Sequence, residues 1–97
     1  MSLKNEILEQ QKLAQPKLFK VLLLNDDITT MEFVVDVLIN IFHHDFEKAS
    51  AIMLEIHHQG SGVCGIYTEE IALSKKQQVD IAAKNNNFPL QTRIEEQ

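Results

Sequence analysis

Three consecutive polar residues, Asn25-Asp26-Asp27, follow one apolar run and precede another. Their oxygens are hydrogen-bond acceptors at the edge of a hydrophobic segment, where a cation or another donor would find partners. Asn and Asp are also ordinary turn residues, because their side chains bond the local backbone. The cluster by itself therefore leaves a binding role and a turn role open.

His57 is the second group that favours binding, because it follows Met53 by one turn of a predicted helix and shares its face. A histidine in the last turn of a helix often has no function, and that alternative stays open. Metal binding is a further alternative, since His43, His44 and His58 add imidazoles. Neither histidine pair has i, i+4 spacing, and adjacent helical residues point about 100° apart. We therefore expect no metal and no cofactor.

No arrangement typical of catalysis is present in the sequence. It contains no G-x-S-x-G, no H-E-x-x-H and no glycine-rich phosphate loop. Cys64 lies among apolar neighbours in a predicted strand, where thiols usually pack without reacting. We expect the protein not to be an enzyme; a metal-dependent enzyme would need bound zinc or iron.

Composition limits the compartment and the partners. The 97 residues, 44% of them hydrophobic, suffice for one modest domain. A net charge of −5 with nine Lys and Arg disfavours nucleic-acid binding, which needs cations to neutralise phosphates. A single cysteine, no signal-peptide pattern and no run of 18 apolar residues predict a cytoplasmic protein that does not bind membranes.

The first half of the chain contains a tail, a strand and a helix. Residues 1–16 are polar, end at Pro16 and predict a flexible tail, so that the folded domain would span residues 17–97. The apolar run from Lys17 to Leu24 predicts a strand buried on much of both faces. Thr29 and Glu32 form a capping box, with Ile28 and Phe33 as a hydrophobic staple, which predicts a helix beginning at Thr30 and packed on most of its surface.

The second half alternates between helix and strand patterns. Apolar residues from Phe46 onward recur every three or four positions until Gly60, which predicts a second helix. Residues 62–68 predict a strand, Thr68 caps a third helix running to about Asn85, and residues 90–94 predict a short final strand. The expected fold is α+β, in the order β-α-α-β-α-β, with a three-stranded antiparallel sheet packed against three helices.

Three motifs in this order resemble the ClpS family of bacterial N-end rule adaptors. Residues 21–34 read V-L-L-L-N-D-D-I-T-T-M-E-F-V, close to the family signature N-D-D-x-T-P-M-E-F-V. Residues 51–60 contain the family's M-x-x-x-H-x-x-G segment, and residues 63–68 match its following strand. The resemblance covers about residues 17–95. One departure is Thr30, which stands where the family usually has Pro at the first helical position.

The resemblance implies an adaptor that binds an N-terminal Leu, Phe, Tyr or Trp and delivers its bearer to the ClpA unfoldase of the ClpAP protease. By the same resemblance Asn25, Asp27 and His57 accept hydrogen bonds from the substrate's α-amino group. The implied wall of the side-chain pocket comprises Thr29, Met31, Val34, Met53 and Leu90. Met31 in that wall is expected to disfavour Ile and Val.

The resemblance also implies a surface that contacts the unfoldase, including Glu70 and Lys75, and a role for the N-terminal tail in handing over the substrate. Without the resemblance, these two residues would be a helix-capping acid and a solvated lysine. The alternative to the N-terminus adaptor is a ClpS-like regulator of the unfoldase that does not select N-termini. Such a regulator would have no need for Asn25, Asp27 and His57 together.

Overall fold

The computed structural model describes residues 16–97, so the predicted tail, except for Pro16, lies outside the described residues. Six elements follow one another within residues 16–97. Three strands, β1, β2 and β3, span Leu18–Leu24, Ser61–Thr68 and Gln91–Glu96. Three helices, α1, α2 and α3, span Met31–Asn40, Phe46–Gln59 and Glu69–Asn85.

The sheet is antiparallel, in the order β2-β1-β3, with β1 at its centre. This architecture confirms the predicted α+β fold, although β3 runs from Gln91 to Glu96, where residues 90–94 were predicted. The register between β1 and β2 shifts between Val21 and Leu22, whose partners are Gly65 and Val63. Cys64 is therefore an extra residue in β2, at a bulge.

A single hydrophobic core joins the sheet to the helices. Val21 and Leu23 of β1 are fully buried there, together with Leu38 of α1 and Val79 of α3. Leu22 points to the opposite face of β1 and is also buried, whereas Leu18, at the start of the strand, is 43% exposed. Burial on both faces of β1 is thus limited to the middle of the strand.

The start of α1 differs by one residue from the predicted start. Thr30 is the N-cap, and its hydroxyl oxygen accepts a hydrogen bond from the backbone N–H of Phe33 at 3.1 Å. Thr29, the predicted cap, instead donates its hydroxyl to Asp26. The predicted capping box and hydrophobic staple are therefore wrong, because both assumed an N-cap one residue too early. Ile28, the first residue of the predicted staple, is 67% exposed.

The other helix ends follow local chemistry more closely. Asp45 caps α2 by accepting the N–H of Lys48 at 2.7 Å, and Gly60 ends this helix with a φ of 92°, a conformation suited to glycine. Thr68 is the N-cap of α3 by backbone conformation, but its side chain forms no capping hydrogen bond. Within residues 16–97 no helix is long and apolar enough to cross a membrane.

Candidate functional site

The loop between β1 and α1 is folded by the side chain of Asp26. One carboxylate oxygen accepts the backbone N–H groups of Ile28 and Thr29 at 2.8 and 2.6 Å. The other accepts the Thr29 hydroxyl at 2.7 Å. Partial burial raises the pKa of Asp26, but the hydrogen bonds from Thr29 and Ile28 outweigh it and hold the pKa below its ordinary value. Asp26 therefore stays ionised and keeps the loop in shape.

The two residues on either side of Asp26 have no such role. The side chains of Asn25 and Asp27 are exposed and form no hydrogen bond or ion pair within residues 16–97. The two interpretations of the polar cluster thus apply to different residues. Asp26 builds the turn, while Asn25 and Asp27 keep their acceptors available.

A backbone hydrogen bond joins this loop to the end of α2. The N–H of Asn25 donates to the carbonyl of Gly60 at 2.8 Å, which holds the loop beside the last turn of the helix. His57 lies in that last turn and is exposed. A helix C-terminus carries a partial negative charge that favours a nearby cation. The elements therefore bring three acceptors to a place where a positive group is stabilised.

A cavity of about 250 Å³ lies between the loop, α1 and α2. This volume is slightly smaller than pockets for drug-sized ligands, about 300–1,000 Å³, and suits a single side chain. Polar and apolar residues share the lining, which consists of Asn25, Asp26, Asp27, Thr29, Met31, Val34, Met53, Ile56 and His57. Met31 begins α1, whereas Met53 lies one turn before His57 on α2.

Most of the residues named from the sequence meet at this cavity, but Leu90 does not. Leu90 is 6% exposed and packs in the core, and it lines a separate depression with Leu24 and Thr92. Two lining residues, Asp26 and Ile56, were not predicted to line the pocket. Ile56 directly precedes His57 and is 2% exposed. Helical periodicity placed it in the core, but periodicity does not show that it also lines a cavity.

Glu70 and Lys75, the residues named for unfoldase contact, both lie on α3 and not at the cavity. Glu70 is exposed in the first turn. The ammonium of half-buried Lys75 donates to the carbonyl of Ile41 at 2.7 Å and lies 5.8 Å from the centre of the Tyr67 ring. Ile41 is the C-cap of α1, so this lysine is a tie between two helices and not only a solvated charge.

The site suits a primary ammonium group attached to an apolar side chain. An ammonium has three donors, and the carbonyl oxygen of Asn25, the carboxylate of Asp27 and a neutral ring nitrogen of His57 supply three acceptors. Among residues 16–97 no three His, Cys, Asp or Glu side chains are placed to hold a metal ion. The described geometry therefore offers hydrogen-bond acceptors and apolar surface.

Comparison with known proteins identifies the family. Residues 14–93 match the sequence profile of the family described as ATP-dependent Clp protease adaptor protein ClpS. This match covers most of the chain, and the chain belongs to the ClpS family. ClpS is a family of adaptors of the Clp protease and not of proteases, which confirms the resemblance found in the sequence.

Similar proteins occur in several bacteria. A ClpS adapter of Campylobacter jejuni subsp. doylei is 64% identical over 95 residues, which cover 98% of this chain and 99% of that protein. One from Wolinella succinogenes is 48% identical over 91 residues, covering 94% and 89%. The solved structure of Agrobacterium tumefaciens ClpS2 bound to L-phenylalaninamide has a TM-score of 0.82 and 36% identity, covering 86% of this chain and all of that one.

Proposed function

We propose that this protein binds the free N-terminal Leu, Phe, Tyr or Trp of substrate proteins and delivers them to the ClpA unfoldase for degradation. The proposal is carried by one observation: Asn25, Asp27 and His57, whose side chains have no hydrogen-bond partner within residues 16–97, line a cavity that is the size of one side chain. A relative bound to L-phenylalaninamide supports it, because that ligand has a free α-amino group and an aromatic side chain.

In this proposal, the α-ammonium donates its three hydrogens to Asn25, Asp27 and His57. A peptide bond or an acetylated terminus has one N–H and no charge, so it satisfies at most one acceptor and leaves the Asp27 carboxylate unpaired. His57 acts as a neutral acceptor, since a protonated imidazole offers only donors and would repel the ammonium. The polar residues thereby distinguish a chain end from an internal segment.

The apolar lining supplies affinity. Burying an aromatic side chain removes roughly 150–250 Å² of surface from water, or about 4–6 kcal/mol before the entropy of association. Met31 and Met53 are unbranched and polarisable, so they adapt to both flat aromatic and branched Leu side chains. A cavity of about 250 Å³ holds one such side chain, so this cavity takes only the first residue.

Delivery requires a second surface, for which we propose the exposed N-terminal part of α3 with Glu70. Lys75 contributes to this surface by fixing α3 against α1 through Ile41, in addition to any contact of its own. We further propose that the protein has no catalytic activity and works in the cytoplasm, where the Clp protease degrades the substrate.

Fluorescence anisotropy of labelled peptides tests the proposal. We expect a peptide beginning with free Phe to bind, and its N-acetylated form and an Arg-initiated form to bind about 2–5 kcal/mol more weakly. Equal affinity for the free and acetylated peptides would contradict terminus recognition. If none of the three binds while the protein still associates with the unfoldase, the regulator that does not select N-termini is the correct function.

A further inference from the structure

A second groove lies beside the cavity, along the seam between α1 and α2. Its volume is about 380 Å³, and its lining comprises Met31, Glu32, Val35, Asp36, Phe46, Ser50 and Met53. Met31 and Met53 line both the cavity and this groove, which we call the seam groove. The two depressions are therefore adjacent and share two methionine side chains.

The seam groove exposes apolar surface. Phe46, the first residue of α2, is 70% exposed, more than any other large hydrophobic residue in the described part of the chain. Met31 is 46% exposed, and Val35 is half-buried. Apolar surface of this kind, rimmed by polar groups, is typical of a site that another chain covers.

The rim of the groove is acidic. Glu32 and Asp36 stand one turn apart on α1, are both exposed, and form no ion pair within residues 16–97. Like charges at this spacing repel each other and destabilise a helix. Among residues 16–97 no Lys or Arg lines the groove. A basic side chain from a bound chain would supply the missing countercharge.

We propose that the seam groove binds the third to fifth residues of the substrate, with a preference for Lys or Arg together with an apolar residue. The proposal rests on the proposed function, since the cavity must hold the first residue. At about 1.5 Å per helical residue, Ser50 and Phe46 lie roughly 10 and 16 Å along α2 from His57. An extended peptide advances about 3.3 Å per residue, so its third to fifth residues lie roughly 7–13 Å beyond the first, alongside Ser50 and within reach of the long side chain of Phe46.

The size of the groove favours a short peptide over a second copy of the chain. A stable interface between two folded proteins takes about 20–30 residues a side, whereas seven residues line this groove. An extended segment of three residues needs only such a narrow surface. In the bound state, its apolar residue contacts Phe46 and Val35, and its basic residue pairs with Glu32 or Asp36.

The experiment compares three Phe-initiated peptides that carry Arg-Lys, Ser-Ser or Glu-Glu at positions three and four and Leu at position five. We expect the wild-type protein to bind the Arg-Lys peptide about 3- to 10-fold more tightly than the Ser-Ser peptide, and the Glu-Glu peptide most weakly. The variant E32Q/D36N should lose this ranking and bind all three within about twofold. Added salt should reduce the ranking in the wild type.

The control variant E47Q/E69Q removes two other exposed carboxylates outside the groove and should keep the ranking. Phe46→Ser should weaken all three peptides without changing their order. Equal binding of the Arg-Lys and Ser-Ser peptides by the wild type, or a ranking that survives in E32Q/D36N, would overturn the proposal. So would a concentration-dependent dimer that Phe46→Ser abolishes, since a second copy would then fill the groove.

These outcomes are separable from a failure of the proposed function. If the Ser-Ser peptide binds when its amine is free and not when it is acetylated, terminus recognition holds whatever the ranking shows. If acetylation has no effect, terminus recognition fails, and the seam groove proposal falls with it.

Discussion

Within the polar cluster, each residue has a task that its neighbours do not share. Asp26 uses both carboxylate oxygens on the loop backbone and on Thr29, whereas Asn25 contributes its backbone N–H to Gly60 and leaves its side chain unengaged. Within residues 16–97 the side chain of Asp27 likewise has no hydrogen-bond partner. A cation that enters the cavity therefore meets acceptors that need not first break an internal hydrogen bond, and binding avoids that penalty.

His57 and His58 offer a matched test at this scale. Both are exposed in the last turn of α2, but only His57 lines the cavity. We expect His57→Ala to weaken binding of a Phe-initiated peptide about 10- to 100-fold, because a hydrogen bond to a charged group contributes about 1.5–3 kcal/mol. Stability should change by less than about 0.5 kcal/mol, since the side chain is exposed.

His58→Ala is the control for this prediction and should bind the peptide as the wild type does. Anisotropy titrations give the affinities, and thermal unfolding checks that both variants fold equally well. Indistinguishable affinities for the two variants would remove His57 from the set of acceptors.

At the scale of elements, α1 is stabilised at both ends by the side-chain hydrogen bonds of Thr30 at its start and of Lys75 at its end. Thr30, which stands in place of the family's Pro, supplies the N-cap through its hydroxyl. Lys75 of α3 donates to the carbonyl of Ile41 at the other end. The helix that carries Met31 and Val34 is thereby held in place, so the shape of the cavity depends on residues that do not line it.

Thr30→Ala should destabilise the domain by about 1 kcal/mol, the usual effect of losing an N-cap hydroxyl. Thr30→Ser should retain most of the stability because serine caps equally well. The stability of Thr30→Pro should lie between those of the alanine and serine variants. A φ of −73° at this position suits proline. Proline also restricts the unfolded chain, which offsets part of the stability lost with the hydrogen bond. Urea denaturation measures all three, and a serine variant as unstable as the alanine variant would contradict the capping role.

Lys75 and Lys76 are neighbours with different partners. The Lys75 ammonium bonds the carbonyl of Ile41, whereas Lys76 pairs with Asp80 at 2.7 Å on the surface of α3. We expect Lys75→Met to destabilise the domain by about 1–2 kcal/mol, because the carbonyl of the α1 C-cap, Ile41, loses a charged donor. Lys76→Met should change stability by less than about 0.5 kcal/mol.

Denaturation of the two lysine variants should be paired with a binding assay against the unfoldase. If Lys75→Met is as stable as Lys76→Met but loses the unfoldase, the lysine acts only at the surface. Reduced stability together with retained peptide binding would assign it to the contact between α1 and α3.

At the scale of the whole molecule, the order of helices and strands could be predicted from the sequence. Most elements have their own apolar periodicity or a residue that ends them. Gly60 ends α2 as predicted, and Asp45 and Thr68 lie at helix starts. The local pattern chose wrongly between two adjacent threonines. The T-x-x-E spacing favoured Thr29 as the cap of α1, but the Thr29 hydroxyl donates to Asp26 and Thr30 caps the helix. The tie from Lys75 to Ile41 joins residues 34 apart, which no local pattern reveals.

The candidate site was predictable to a similar degree. Asn25, Asp27, Met53 and His57 were named from the sequence and line one cavity. Ile56 was missed because a buried apolar helix residue looks the same whether it floors a cavity or only fills the core. Leu90 was placed in the pocket by resemblance, but it lies between α3 and β3 and lines a separate depression.

The stability of the whole fold at alkaline pH should depend on the buried thiol of Cys64. Burial raises the pKa of this thiol to about 12 from 9.0, and the nearby Glu55 carboxylate adds to the rise against a hydrogen bond from Leu23. Because the pKa is higher in the folded than in the unfolded chain, its contribution to stability is complete below pH 9.0 and is lost as the pH rises toward 12. The loss from this one group reaches up to about 1.4 kcal/mol per pH unit.

Cys64→Ala separates this effect from general alkaline denaturation. The variant should be less stable than the wild type at neutral pH, because truncation leaves a small gap in the core. Between about pH 9 and 11 its stability should fall less steeply, so the two urea midpoints should converge. A constant difference across this range would show that the thiol does not titrate with unfolding.

Since the wild-type thiol is 1% exposed, a thiol reagent should label it only through unfolding, at a rate that rises with urea as the unfolded population does.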